Sequence, residues 1–210
     1  MLLDTEALVR QITDLQQGAV VRWHQRDFDN PYTGLLAFVC QQHQFNFLLW
    51  HEEDIARSSE VSDTRIAVVK RAIDSYNQQR NDAIERIDET LLDMLTSAGV
   101  LAEADARLNT ETPGSAIDRL SIMALRMYHL EEQLDRDDVD HAHRERVAER
   151  LTRCHVQHAD LSQSLAELLG DLCRGRKLLK VYRQMKMYND PSLNPYLYRT
   201  PKRPAQKIAV

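Results

Sequence analysis

No proline stands between Pro31 and Pro113, and none between Pro113 and Pro191. Proline lacks a backbone donor and clashes with the preceding helical turn, so two such long runs without it leave the backbone free to form long helices. The runs are rich in Leu, Ala, Glu, Arg and Gln, all good helix formers. Only six glycines interrupt 210 residues, and no convincing run of alternating β-branched residues occurs, so little or no sheet is expected. The predicted fold class is all-α: a single helical bundle with long antiparallel helices and an extended C-terminal tail. The length allows one large domain or two small ones and a sizeable core. We place the bundle over residues 1–187. An extended basic segment, packed on the bundle or trailing from it, takes 188–210.

Local signals mark the helix ends. Asp4 or Thr5 can cap a first helix, with Leu8, Ile12 and Leu15 on one face. Asn30 followed by Pro31 reads as a cap with proline in the first turn, opening a second helix from about Tyr32 to about Arg57. The turn 58–63 offers several caps to a third helix with no breaker before Gly99. At about 35 residues it would be roughly 50 Å long. Its apolar face is Ile66, Val69, Ile73, Tyr76, Ile84, Ile87, Leu91 and Leu95, while Ser75, Gln79, Asp82, Arg86 and Asp93 form a solvated side. Residues 99–114 read as a linker. Ser115 with Asp118 resembles a capping box at the head of a fourth helix from Ala116 to about Asp135. A fifth helix follows the acidic turn 135–140, with Val147, Leu151, Cys154, Leu161, Leu165, Leu168 and Leu172 on its seam. Beyond it, Asn189-Asp190-Pro191 and Asn194-Pro195 force an extended, turn-rich segment. Tyr188, Tyr196 and Tyr198 are expected to pin that segment to the body. Lys186, Tyr188, Asn189 and Asp190 read as a cap for the fifth helix in preference to a cover over a site.

The second and third helices carry polar groups where a plain bundle carries Leu and Ala. His43, Asn46, Trp50, Asp54 and Arg57 recur three or four residues apart on the second helix and share one stripe. Lys70, Asp74, Asn77, Asn81, Glu85 and Asp88 form a stripe on the third, with Arg80 on its apolar face. An antiparallel pair joined by a short turn brings these stripes together. Buried charges cost stability unless paired, so such a cluster is either an internal network or a ligand site. In the first reading Arg57 and Arg80 pair with Asp54, Asp74 or Glu53 and fix helix register. In the second, His43, Asn46, Trp50, Arg57, Lys70, Asp74, Asn77, Arg80 and Asn81 line a pocket for an anionic ligand. Asp54 or Glu53 would then be the base, with His51 or His43 assisting. The two readings stand level on the residues alone. A weaker third reading places Mg²⁺ on Asn77, Asn81 and Glu85, which stack at i, i+4 and i+8. His155 and His158 read as core-edge residues, and Cys154 and Cys173 as small buried hydrophobes.

Composition removes several function classes. No phosphate-binding glycine loop, dinucleotide fingerprint, nucleophile elbow or zinc-protease motif is present. No apolar run reaches membrane-spanning length. The N-terminus has early acids and no apolar core of a signal peptide, and the three cysteines have no pairing framework, so a reducing, cytoplasmic setting is expected. The net charge of −5 is uneven. Residues 174–210 hold ten Lys or Arg and one acid, which leaves −14 for the first 173. We read this as a basic tail on an acidic body. Nucleic acid is the disfavoured partner, because no glycine-flanked aromatic motif accompanies the charge. The partner classes that remain are a small anionic ligand, a partner protein and a second copy of the chain.

The stretches NFLLWHEEDIAR, KRAIDSYNQQRNDAIERID, DRLSIMALRMYHLEEQ and YRQMKMYNDPSLNPYLY resemble a bacterial family, the domain of unknown function family numbered 4254. The resemblance runs from about Asn30 to Tyr198. It implies a helical protein and carries over no activity. Members of that family tend to be encoded near sugar-transfer enzymes of cell-surface polysaccharide assembly, which implies a pathway and no chemistry. The expectation that follows is a binder of a phosphorylated or nucleotide-linked sugar between the second and third helices. The competing expectation is a non-enzymatic helical adaptor for a partner protein of that pathway.

Overall fold

The structure, a computed structural model, describes residues 3–185 and 187–199, with the backbone alone at Tyr188. Five long helices carry it: α1 (Thr5–Trp23), α2 (Gly34–Arg57), α3 (Asp63–Ser97), α4 (Pro113–Leu134) and α5 (His141–Cys173). A 3₁₀ turn (Met187–Asn189) and a one-turn helix α6 (Pro195–Tyr198) follow. Sheet is confined, among the described residues, to one parallel bridge between β1 (Arg107–Leu108) and β2 (Lys177–Leu178). No helix among the described residues is long and apolar enough to cross a membrane.

Local chemistry sets most of the ends. Asp4 Oδ1 accepts the Ala7 N–H at 2.9 Å, Ser62 Oγ accepts from Arg65 at 3.3 Å, and Asp140 Oδ1 accepts from His143 at 2.7 Å. Each removes one of the orphan donors of a helix start. Two expected starts are corrected. Asn30 does not cap α2: its side chain bonds Tyr32 and Ala37, and Thr33 stands at the cap without a side-chain bond. The head of α4 is capped by Thr112, whose Oγ1 accepts from Ser115 N at 3.2 Å, with Pro113 in the first turn. Asp118 is therefore not part of a capping box.

The helix α4 is the hub. It packs against α1, α2, α3 and α5, while α2 lies along α3 as a hairpin through the short turn after Arg57. The core runs through Ile12 and Val20 of α1, Val39 of α2, Ile87 of α3, Ile117 and Leu120 of α4, and Leu165 of α5. Each buried aliphatic side chain of this kind contributes about 1.5–3 kcal/mol. The expected solvated side of α3, Ser75, Gln79, Asp82, Arg86 and Asp93, is exposed throughout. Gly175 ends the α5 turn with φ +74° and sits against Leu101, so the linker before α4 crosses the end of α5 there.

The contact between α3 and the head of α4 depends on Gly114. A Cβ built there would lie 2.7 Å from the Ile84 carbonyl oxygen and 2.9 Å from Asp88 Oδ1. Neither neighbour can retreat easily, since one is helix backbone and the other accepts the Gly114 N–H at 2.7 Å. Alanine is the better helix former by about 1 kcal/mol. We nevertheless expect Gly114→Ala to lower stability by about 1–3 kcal/mol, the usual cost of overpacking. A urea midpoint equal to or above that of the parent would show that α3 and α4 can separate freely.

The C-terminal segment is tied down differently from expectation. Arg183 pairs with Glu85 at 2.8 Å and with Glu89, and Gln184 N donates to Glu85 Oε1 at 2.7 Å. Tyr196 and Tyr198 are exposed, so burial of their rings is not what holds the segment. Asp190 accepts from Ser192 within its own turn and does not cap α5, which closes on Arg174 and Gly175. Lys186, the side chain of Tyr188 and residues 200–210 lie outside the described residues, and with them much of the basic tail.

Candidate functional site

The cleft between α2, α3 and α4 has a volume of about 490 Å³. Its lining brings together seven of the residues singled out from sequence: Asn46, Trp50, Glu53, Asp54 and Arg57 from α2, and Asn77 and Arg80 from α3. Leu49, Ile122 and Leu125 supply the apolar floor. The helical hairpin produces this, because three- and four-residue spacing turns each stripe toward the same gap.

Beneath the lining lies a buried polar network whose centre is Asp118 of α4. Arg80 grips it bidentately, Nε to Oδ1 at 2.8 Å and Nη2 to Oδ2 at 2.7 Å. Gln42 Nε2 donates to the same Oδ1 at 2.6 Å and Asn46 Nδ2 at 2.9 Å. Asn46 also reaches Ser121 Oγ at 2.8 Å, and His43 Nδ1 meets that hydroxyl at 2.7 Å. Asp118 and Ser121 are buried, and Arg80 keeps about a quarter of its side chain at the surface. The carboxylate holds the Arg80 proton even more firmly than usual, through the hydrogen bonds first. Burial pushes the His43 imidazole down to about 3, so it is neutral at any ordinary pH.

The remaining expectations sort by place. His43 is fully buried below the cleft and takes part through Ser121. Lys70 and Asp74 pair with each other one turn apart on α3 and do not line the cleft. Arg57 pairs with Glu53 at 3.1 Å, and Asp54 is exposed at the rim. His51 turns away from the cleft toward α1 and α4, with its ring 5.2 Å from His24 and 5.6 Å from His129. The stacked set Asn77, Asn81 and Glu85 does not converge. Asn77 faces the cleft and accepts from Arg80 at 3.3 Å, while Asn81 and Glu85 line a separate hollow of about 310 Å³. Both Glu85 oxygens are held by the C-terminal segment. The Mg²⁺ reading of these three residues is thereby corrected.

Asp118, Ser121 and Gln42 were missed. Asp118 stands three residues after Ser115 and so imitated a capping residue. Its isolation as the one acid among Ala116, Ile117 and Leu120 was the available signal of a buried partner for a cation. In the separate hollow, burial pushes the Asp88 carboxyl up to about 6, against hydrogen bonds from Thr112 and the Gly114 N–H that pull it down.

A family model described as Protein of unknown function (DUF4254) matches residues 36–181, well over half of the chain. The match ends before the stretch 182–198 that also carried the resemblance. No curated protein and no solved structure matches the chain.

Proposed function

The chain belongs to the DUF4254 family, and we propose that it binds a phosphorylated or nucleotide-linked sugar in the cleft between α2, α3 and α4. The observation that carries this is the state of Arg80 in that cleft. A guanidinium has five N–H donors in a fixed fork. Among the described residues, three of these go to Asp118 and Asn77, which leaves two for the open side. The group is therefore preorganised before any ligand arrives, and a phosphate oxygen gains fixed donors at little ordering cost. Trp50 offers a flat apolar face beside it, suited to a sugar ring or a base. Glu53 is paired with Arg57 and Asp118 with Arg80, and Asp54 stands exposed at the rim. Acceptors at the rim and fixed guanidinium donors within suit a ligand with hydroxyl donors at one end and an anionic group at the other. Asp54 and Glu53 are the groups placed to accept from hydroxyls, and to act as a base if a reaction follows. The pathway we propose is cell-surface polysaccharide assembly.

The test is a thermal-shift screen of the full chain against sugar phosphates and nucleotide sugars, with and without Mg²⁺. A ligand at 100 times its Kd stabilises by about 2.7 kcal/mol. Arg57→Ala, at an exposed residue of the cleft rim, should abolish the shift and leave the ligand-free midpoint nearly unchanged, whereas Trp50→Ala should abolish the shift and also lower the midpoint, because Trp50 packs on the core and stacks on His129. No shift from any member of the panel would overturn the reading. The adaptor reading would then stand on the exposed apolar side chains Val68, Leu92, Met94 and Val156.

A further inference from the structure

We propose that His24, His51 and His129 form a binding site for a divalent late first-row transition-metal ion, zinc foremost. The three rings come from three elements: the C-terminal end of α1, the middle of the polar stretch of α2, and the last turns of α4. One ring nitrogen of each lies within 4.8 Å of those of the other two. Tetrahedral zinc with Zn–N of about 2.0–2.1 Å needs a nitrogen separation of about 3.4 Å, which small side-chain rotations reach.

The hydrogen bonds around the rings fix what each nitrogen has to offer. His24 Nδ1 lies 2.8 Å from the Val20 carbonyl oxygen, and His129 Nδ1 lies 2.6 Å from Glu132 Oε2. Both partners only accept, so in the neutral ring Nδ1 carries the proton and Nε2 is the nitrogen open to a ligand. The Nε2 atoms of His24, His51 and His129 are all buried and, among the described residues, have no hydrogen-bond partner. A buried nitrogen without a partner costs about 1–3 kcal/mol, and the three rings that carry these nitrogens lie together, so a shared ion would remove that cost. An imidazole held at Nδ1 by a carbonyl or carboxylate and free at Nε2 is the arrangement that orients a metal ligand and raises its basicity.

The surroundings orient the rings. Tyr128 stacks on His24 at 4.3 Å, Trp50 stacks on His129 at 4.9 Å, and the edge of Phe47 meets both His24 and His51. An all-nitrogen donor set without a thiolate suits zinc, copper, nickel or iron and disfavours magnesium or calcium. Three protein ligands leave a fourth position for water or another ligand. Because Trp50 also lines the cleft, the ion would sit behind the cleft wall, yet the site does not depend on what the cleft binds.

The experiment uses the full chain without an affinity tag, stripped with a chelator and titrated with Zn²⁺ in competition with a chromophoric chelator. One ion per chain is expected. His24→Ala, His51→Ala and His129→Ala should each weaken binding by about 100-fold or more, and Glu132→Gln by about 10–100-fold. His155→Ala and His158→Ala should change nothing. Co²⁺ titrated into the unaltered chain should give the intense visible bands of a tetrahedral site, and Zn²⁺ should displace it. This arm needs no variant, so a misfolded alanine substitution leaves the test intact. A parent that binds no ion, or that keeps its affinity in a folded triple variant, would overturn the proposal.

Discussion

Asp118→Ala is expected to lower the free energy of unfolding by about 3–5 kcal/mol, the range for breaking a buried ion pair by removing one partner. The substitution takes the bidentate partner from Arg80 and, with it, the acceptor of Gln42 and one bond of Asn46. Gln42 is fully buried and cannot turn to water. Arg80→Ala should cost a similar amount for the opposite reason, since it leaves a carboxylate charged and only 8% exposed. Removing both should cost less than the sum, because each single variant strands the other charge. Urea denaturation of the four proteins gives the cycle. A loss below about 1 kcal/mol for Asp118→Ala would mean that water replaces the carboxylate and that the network does not hold α2, α3 and α4 together.

Asp88→Asn is expected to gain on the parent by roughly 3 kcal/mol as the pH rises from below 4 to 7. Asp88 is buried, and burial lifts its carboxyl from 3.8 to about 6, with Glu85 adding to the rise. A group whose folded value is raised contributes stability that is full below its unfolded value and is lost as pH climbs through the folded one. For Asp88 that window is about 3.8 to 6. Asparagine keeps the acceptor for the Gly114 N–H without a charge to desolvate. His43 works in the other direction: its folded value is lowered, so stability falls as pH drops from 6.5 toward about 3. That contribution is the same in both proteins and cancels in the difference. Chemical denaturation at pH 3.5, 5 and 7 measures it. A difference that does not change with pH would show Asp88 ionised in the folded state at a normal value.

Short-range rules settle the helices. Proline spacing, the cap at Asp4, the polar turns 58–63 and 135–140 ahead of α3 and α5, and the apolar period of α3 are all consequences of backbone geometry within one or two turns. They read correctly because nothing distant can easily overrule them over 35 residues without a breaker. Register within α2 and α3 was legible for the same reason, so the polar residues those helices give to the cleft could be named in advance, although His43, Lys70, Asp74 and Asn81 were placed there with them. What failed was local evidence with two meanings. Asn30-Pro31 and Ser115 with Asp118 are both good caps by spacing, and in both cases a neighbouring Thr took the position.

Chain sequence alone determined the helical class, the long α3 and the two polar stripes. Tertiary structure alone decided that α4 lies across that hairpin, and therefore that Arg80 finds Asp118 and not an acid of α2. It likewise decided that His51 leaves the cleft and joins His24 and His129, residues 27 and 78 positions away in the chain. The physical reason is range. A helix forms from contacts three and four residues apart, whereas the partner of a side chain at its surface depends on which other helix the core draws against it. Three ligands on three helices leave no spacing to read, and only the packing brings their nitrogens together.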